Sequence, residues 1–569
     1  MARRRSRGLI WCVALFSAVA NLLLLTGPIY MLQVYDRVLS SRSVETLVVL
    51  SILAVFLFSI LAVLDFVRAR LMVRVALRMQ SHLQARVFDA GLRHAMAGSA
   101  RDALPQALCN LGTVQRVMAA PVTIAFVDLP WVPLFLLCIF VFHSWLGWLA
   151  FGGVAALLAL AVLNQTCSRD AAPKAARSAA MATGMADDLG AASETVGALG
   201  MRHTAYHHWS GRQAERLRLE TGIGDISGGF SAASRALRLI LQSAILGLGA
   251  YLVLRGALSP GAMIATSVLT VRALAPIEQI IGGWPLVRRA TNAWQALSTL
   301  LETYPAISPR AALPKPEARL HVRHLSVAPP ETRMPALRGV GFEVAPGQAV
   351  GVIGASGAGK TALARAIVGS WRPFSGQVRL GNTPIEAFGA GQMGSHVGYL
   401  PQRVELFTGT VAENIARTDP DATVDAVTAA ARRAGAHEMI LALSEGYDTP
   451  LCPRGGQLSG GQVQRIALAR AVYGDPVLLI LDEPNSNLDN AGVAAINTAI
   501  RQFKQAQKAV LVMAHRPAAI QECDHLLWLE DGILKQFGTR DEVLRSAVRN
   551  HAQLLDGGHQ RHIADGAGP

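Results

Sequence analysis

Gly354-Ala355-Ser356-Gly357-Ala358-Gly359-Lys360-Thr361 spaces glycines, a lysine and a hydroxyl as a phosphate site requires. An apolar run, 348–353, precedes it, and the helix-forming stretch 362–368 follows. Strand, glycine loop and helix together give the G-x-x-x-x-G-K-[ST] pattern its meaning. Glycines let successive backbone N–H groups point inward, and the helix start adds its positive end. Lys360 is placed for the β- and γ-phosphates of a nucleoside triphosphate, and the Thr361 hydroxyl for a magnesium ion. Downstream, Pro476-Val477-Leu478-Leu479-Ile480-Leu481 reads as a buried strand ending in Asp482 and Glu483. Asp482 is expected on Mg²⁺, and Glu483 is expected to polarise the water that attacks the γ-phosphate. Leu458-Ser459-Gly460-Gly461-Gln462 opens a further helix, whose hydroxyl and glycine amides form a second anion site.

These residues need a scaffold, and the chain of 569 residues is too long for a single core. It is 51% hydrophobic and carries a formal charge of +14, with a mean hydropathy of +0.32. That balance is too apolar for an ordinary soluble enzyme and points to membrane spans. Most arginines flank apolar runs, which favours anionic lipid over nucleic acid as the partner of the positive charge. The six cysteines form no C-x-x-C pair, so neither a zinc site nor a disulfide framework is indicated.

Six spans are predicted, at about 9–32, 46–67, 121–142, 146–164, 236–254 and 260–282, each near the length needed to cross hydrocarbon. Ala18-Val19-Ala20 resembles a signal-peptide cleavage site, but the apolar stretch runs well past it, so the first span is read as uncleaved. The connections 33–45, 143–145 and 255–259 are short and poor in net positive charge, whereas 68–120 and 165–235 are long and rich in arginine. This asymmetry puts both termini in the cytoplasm. The long connections look helical, and about 25 residues each way would project the spans roughly 35 Å beyond the bilayer. Asp128, Arg272 and Glu278 place charge inside apolar sequence, either for function or as structural ion pairs or charges facing a wet cavity. His203, His207 and His208 include an i, i+4 pair without a carboxylate or cysteine to complete a metal site, and are expected to pack. The resulting division is a membrane domain over 1–284, a proline-marked linker over 285–316, an α/β domain over 317–556 and a disordered tail over 557–569.

Leu458-Ser459-Gly460-Gly461-Gln462, with the helix after it, resembles the signature of ATP-binding cassette proteins. Gln402 matches that family's Q-loop, Asp489 its D-loop and His515 its switch histidine. The resemblance covers the whole chain and implies the exporter half-transporter fold: a six-span α-helical membrane domain with long cytoplasmic helical extensions, then an α/β P-loop cassette. It implies ATP and Mg²⁺ as cofactors, with Thr361, Gln402 and Asp482 around the metal and Glu483, His515 and Gln402 in hydrolysis. One chain carries half of each composite site, because the signature of one subunit closes on the phosphate loop of another. A homodimer completes two sites. Relatives often stack adenine on an aromatic side chain; residues 324–333 offer none, leaving His324 or Arg333 as substitutes or a loosely selective base site. Cys452-Pro453-Arg454 stands where many exporters carry an acidic residue.

A narrower resemblance rests on the stretch 22–39, on Asp128-Leu129-Pro130-Trp131, on Arg272-Ala273-Leu274-Ala275-Pro276 and on Ser326-Val327-Ala328-Pro329-Pro330. Together these are similar to type I secretion permease/ATPases of the subgroup exporting proteases, lipases and repeat-toxin-like proteins. That implies a bacterial inner-membrane ATPase working with a periplasmic adaptor and an outer-membrane tunnel, on an unfolded polypeptide cargo with an uncleaved C-terminal signal. With the first span starting near residue 9, no N-terminal peptidase-like domain and no protease activity are expected. The alternatives are an exporter or flippase of lipids or small molecules, and a non-transporting, membrane-tethered ATP-binding regulator.

Overall fold

In the computed structural model the described residues are 7–98, 102–167, 171–307, 313–330, 332, 334–452, 458–485, 490–514 and 517–546. They form two compact units, the described residues within 1–93 and 102–306 and those within 94–101 and 307–569.

The first unit is helical. Six of its described helices are long and apolar enough to span a bilayer: Trp11–Ser41, Val44–Met96, Pro121–Phe142, Ser144–Cys167, Arg202–Leu254 and Pro260–Thr303. Val44–Met96 and Arg202–Leu254 have 53 residues each, so two apolar spans continue without a break as the expected helical extensions. The buried core lies where Val132–Phe142, Ser144–Cys167, Arg202–Leu254 and Pro260–Thr303 meet, through Phe135, Ile139, Leu157, Ile245 and Leu274. Helices approach closely there because Gly153 has no side chain: a Cβ would sit 2.0 Å from the Leu241 side chain.

Residues 285–303, read from sequence as linker, are instead the continuation of Pro260–Thr303, with Pro276 and Pro285 inside it. Each proline removes a single backbone donor. The glycine-free run of helix formers after 285 carries the helix on, and Ala290, Ala293 and Leu297 are buried along it.

Two of the three charges that the sequence places in apolar runs, Asp128 and Glu278, are paired. Asp128 accepts from Arg68 Nη1 at 3.0 and 3.1 Å and from Asn21 Nδ2 at 2.8 Å. Arg68 also reaches Asp65 at 3.0 Å and Ser17 Oγ at 3.3 Å. Glu278 pairs with Arg238 at 3.0 Å, while Arg272 is exposed. A π-helical turn, Val34–Val38, carries Asp36, which accepts from Ser259 Oγ at 2.5 Å and from Gly261 N at 2.8 Å. The first span thereby caps the last helix with a carboxylate at its positive end.

The Asp128–Arg68 pair yields a stability prediction. Asp128→Leu leaves the mostly buried guanidinium short of its main partner and costs about 3 kcal/mol. Adding Arg68→Met restores most of that loss, since replacing both partners removes the orphaned charge. Thermal unfolding of the purified chain in detergent reads both; a double variant no more stable than the single one would refute a pairing role.

The second unit is α/β. Its central sheet runs in the spatial order β9-β8-β3-β7-β6-β5, where β3 is Ala349–Ile353, β5 Val397–Leu400, β6 Leu478–Asp482, β7 Ala509–Met513, β8 His525–Glu530 and β9 Ile533–Thr539. All neighbours are parallel except β8 and β9. The strands β6 and β7 are buried throughout, which is why they read as unbroken apolar runs. A second, antiparallel sheet holds β1 (Leu320–Val327) between β2 (Leu337–Val344) and β4 (Ser375–Leu380). Met513 on β7 lies opposite both Val352 on β3 and Asp482 on β6. That register brings the ends of β3 and β6 to one edge, the carboxyl edge where ligands of open α/β sheets bind.

Candidate nucleotide site

The loop 354–359 leaves the end of β3 and enters the helix Lys360–Ile367. Two glycines are required by contact with distant backbone. A Cβ at Gly354 would lie 2.3 Å from the Leu529 carbonyl oxygen, and one at Gly359, whose φ is +99°, would lie 2.7 Å from that of Ala336. The loop is thus clamped between β8 and the residue that precedes β2.

Lys360 is buried, and its Nζ donates to the carbonyls of Gly354 at 2.9 Å and Ala355 at 2.8 Å. The ammonium bridges the loop that a phosphate would enter. Burial lowers its pKa from the ordinary lysine value, opposed by the charges of Glu483 and Asp482. Thr361 Oγ1 donates to Asp482 Oδ1 at 3.4 Å, joining the first turn of the helix to the end of β6.

Asp482 is 1% exposed, and its Oδ2 is buried without a hydrogen-bond partner. Burial pushes its pKa up to about 6, helped by the charge of Glu483 and opposed by the Thr361 hydroxyl. An orphaned carboxylate oxygen beside a hydroxyl is a hard-oxygen set of the kind Mg²⁺ takes, so these residues fit the ion. Glu483 follows with a φ of +50°, its N–H donating to the Met513 carbonyl at 3.0 Å. Its Oε2 accepts from Gln402 Nε2 at 2.8 Å, so the two residues assigned from sequence to water and metal are in direct contact. The site can hold a polyphosphate with a divalent ion and set a carboxylate beside a water.

The raised pKa of Asp482 makes a pH-dependent prediction. The carboxyl is neutral in both folded and unfolded chain below the ordinary aspartate value of 3.8. Between that value and about 6 only the unfolded form ionises freely, so the burial penalty grows, and above about 6 it is complete. Asp482→Asn therefore stabilises the nucleotide- and metal-free protein at pH 7.5, on the order of 2–3 kcal/mol. The gain shrinks as pH falls toward 4. Thermal unfolding across that range decides; a pH-independent difference would contradict it.

Ser459 caps the helix Gly460–Val472 in a reciprocal capping box with Gln462, with Gln462 N to Ser459 Oγ at 3.3 Å and Ser459 N to Gln462 Oε1 at 2.8 Å. The serine hydroxyl accepts from its own helix, which leaves its proton to donate outward. Gly460 and Gly461 present the first-turn amides beside it. Gln464, which sequence reading passed over, is buried in this helix and donates to the Pro484 carbonyl, tying the signature helix to the segment after β6. A polar residue on the buried side of an otherwise apolar face was the available sign.

Asp489 and His515 lie outside the described residues, as do Pro453, Arg454 and Arg333. His324 is exposed on β1 at a φ of +45°. His203 and His207 approach through their Nε2 atoms at 3.1 Å, and the Trp209 indole donates to the Ala182 carbonyl at 3.2 Å, so this stretch packs two helices together. No group of three or more potential metal ligands gathers among the described residues.

Residues 337–486 match the ABC transporter family, and residues 10–274 match the ABC transporter transmembrane region. The type I secretion system ATP-binding protein PrsD of Rhizobium meliloti is 40% identical over 548 residues, covering 96% of this chain and 94% of that protein. The cyclolysin secretion/processing ATP-binding protein CyaB of Bordetella pertussis is 27% identical over 95% of this chain and 76% of its own length. An ATP-dependent lipid A-core flippase of Chromohalobacter salexigens is 32% identical over 51% of this chain and 50% of its own. Among solved structures, a bacterial Atm1-family ABC exporter with ATP bound superposes with a TM-score of 0.79 over 95% of this chain and 96% of that one, at 21% identity.

Proposed function

The chain belongs to the ABC transporter family, with membrane region and ATPase on one polypeptide, and on that premise we propose that it is the ATP-hydrolysing exporter of a type I secretion system. The observation that carries this reading is the 40% identity to a type I secretion ATP-binding protein along almost the full length of both chains. The cargo is an unfolded polypeptide with an uncleaved C-terminal signal. It passes through a homodimer in the inner membrane to a periplasmic adaptor and an outer-membrane tunnel, with both termini of the chain in the cytoplasm.

In the proposed cycle the loop 354–359 and Lys360 hold the β- and γ-phosphates of ATP. Thr361, Asp482 and Gln402 would hold Mg²⁺, which would neutralise charge on the phosphates. Ser459 and the amides after it reach the γ-phosphate on the other subunit, and Asp489 lies at that junction. Glu483 accepts a proton from the water whose oxygen attacks the γ-phosphorus, His515 contacts the phosphate, and the bond to ADP breaks. Closure bound by ATP and release after hydrolysis drive the membrane helices between two arrangements.

The flippase similarity covers only half of each chain, which supports a shared engine rather than a shared cargo. The test compares culture medium, by quantitative proteomics, from cells with the intact chain, without it, and with Glu483→Gln. Loss of one or a few proteins lacking N-terminal signal peptides in both deficient strains is expected. An unchanged medium with altered membrane lipid would sink the secretion reading in favour of the flippase.

A further inference from the structure

Glu483 holds an uncommon backbone conformation, and two different elements hold the peptides on either side of it. Its φ of +50° is one that a residue with a side chain rarely adopts. Pro484 narrows the choice further, because the proline ring crowds the residue before it. Such a conformation persists only where its surroundings fix it. On one side the Glu483 N–H donates to the Met513 carbonyl of β7 at 3.0 Å. On the other, the Pro484 carbonyl accepts from Gln464 Nε2, in the second turn of Gly460–Val472. Gln464 itself is buried.

The helix that carries Gln464 is seated as a single rigid piece. Ile466, Leu468 and Val472 are buried in the core that also holds Leu479 and Leu481 of β6. At the C-terminal end Arg417 Nε donates to the Arg470 carbonyl at 2.9 Å, and its Nη2 to the Ala471 carbonyl at 3.0 Å. Those carbonyls belong to the last turn, which has no partners of its own within a helix. At the N-terminal end Ser459 and Gln462 close the capping box. Ser459 and Gln464 lie about 7.5 Å apart along the axis, so a shift of the serine carries the glutamine with it.

In the homodimer of the proposed function these residues serve different nucleotides. Ser459 faces the γ-phosphate held by the partner subunit's phosphate loop, whereas Glu483 acts beside Lys360 and Thr361 of its own chain. We propose that Gln464 is a positioning residue that couples the two ATP sites: it sets Glu483, through the Pro484 carbonyl, according to whether Ser459 has closed on nucleotide at the other site. An amide suits the task because it donates from a buried position without burying a charge. Methionine matches its length and donates nothing. The inference rests on the reading of the chain as a dimer with composite sites.

The test uses the full-length chain in detergent, as homodimers and as mixed dimers in which one chain carries Lys360→Ala. A different affinity tag on each version isolates the mixed form. The intact chain of a mixed dimer keeps its own phosphate loop and Glu483, but its Ser459 faces the emptied site. Its turnover per intact site falls about tenfold below that of the homodimer, the effect of losing one positioning hydrogen bond. With Gln464→Met in both chains, the homodimer is already about tenfold slower at saturating ATP, and the mixed dimer now matches it per intact site. Equilibrium affinity for a fluorescent ATP analogue is unchanged, because the loop 354–359 and Lys360 are untouched. A residue that only supported the fold would not alter the ratio of mixed to homodimer turnover.

Wild-type turnover in the Gln464→Met homodimer overturns the proposal, and so does a ratio that the substitution leaves where it was. Loss of nucleotide affinity in both Gln464→Met and Gln464→Leu also overturns it, by making the residue a support of the fold. Failure of the dimer reading has its own sign. In that case no mixed dimers form, turnover per chain is independent of protein concentration, and the coupling falls with the dimer. Where mixed dimers form, the ratio decides the role of Gln464 alone.

Discussion

Glu483→Gln lowers steady-state ATP turnover by about 10²–10⁴-fold, the usual contribution of general-base catalysis, while nucleotide stays bound. The geometry makes this substitution clean. Gln402 Nε2 donates to Glu483 Oε2 at 2.8 Å, and a glutamine at 483 keeps an oxygen there to accept it. The backbone at 483, with its φ of +50° and its N–H on the Met513 carbonyl, is indifferent to the change. What is lost is the basic oxygen that takes a proton from water. Trapped nucleotide and a longer-lived closed dimer should follow, because in the proposed cycle hydrolysis opens the dimer. Phosphate release and nucleotide retention, measured on the same purified sample, report both consequences. Wild-type turnover would remove Glu483 from the reaction.

Lys360→Ala acts earlier, at binding. Its ammonium makes two bonds within the loop, at 2.9 and 2.8 Å, and in the proposed complex exchanges them for phosphate oxygens. Charge-assisted bonds contribute about 1.5–3 kcal/mol each, so nucleotide affinity falls on the order of a hundredfold and turnover becomes unmeasurable at ordinary ATP concentrations. Burial already depresses this amine's pKa, so an incoming polyphosphate reinforces its charged form. Because Lys360 is buried, Lys360→Met serves as a second variant that keeps most of the volume. Equilibrium binding of a fluorescent ATP analogue distinguishes the cases. Unaltered affinity in both variants would refute the phosphate-loop assignment, whereas loss in alanine alone would trace the effect to packing.

The two variants together separate the halves of the site. The lysine change empties it, and the glutamate change leaves it filled and idle. A regulator that binds ATP without turnover would respond to the first and be indifferent to the second.

Much of this protein was legible because its signals are local. A glycine loop, its lysine and the flanking strand and helix occupy one short stretch, and capping of Gly460–Val472 needs only Ser459 and Gln462, three positions apart. Six apolar runs of bilayer length declare themselves residue by residue, and the buried parallel strands β6 and β7 are apolar throughout. Pro285 was the misleading local sign, since a proline within a long helix costs one bond that the following turns outweigh.

What tertiary structure decided are the meetings of distant residues. Asp128 was visible as a charge in an apolar run, but its partner Arg68, from a segment read as cytoplasmic loop, emerges only when three helices pack. Gln402 and Glu483 each had a motif of their own, and the bond between them exists because β5 and β6 are neighbours in the sheet. The glycines at 354 and 359 are demanded by the carbonyls of Leu529 and Ala336, which no spacing rule includes. Asp36 finds the amide of Gly261 across the bundle through a π-helical turn that no residue type announces. Sequence determines backbone preferences over a few residues at a time, whereas pairing, burial and the pKa of Asp482 depend on which surfaces the folded chain lays against each other.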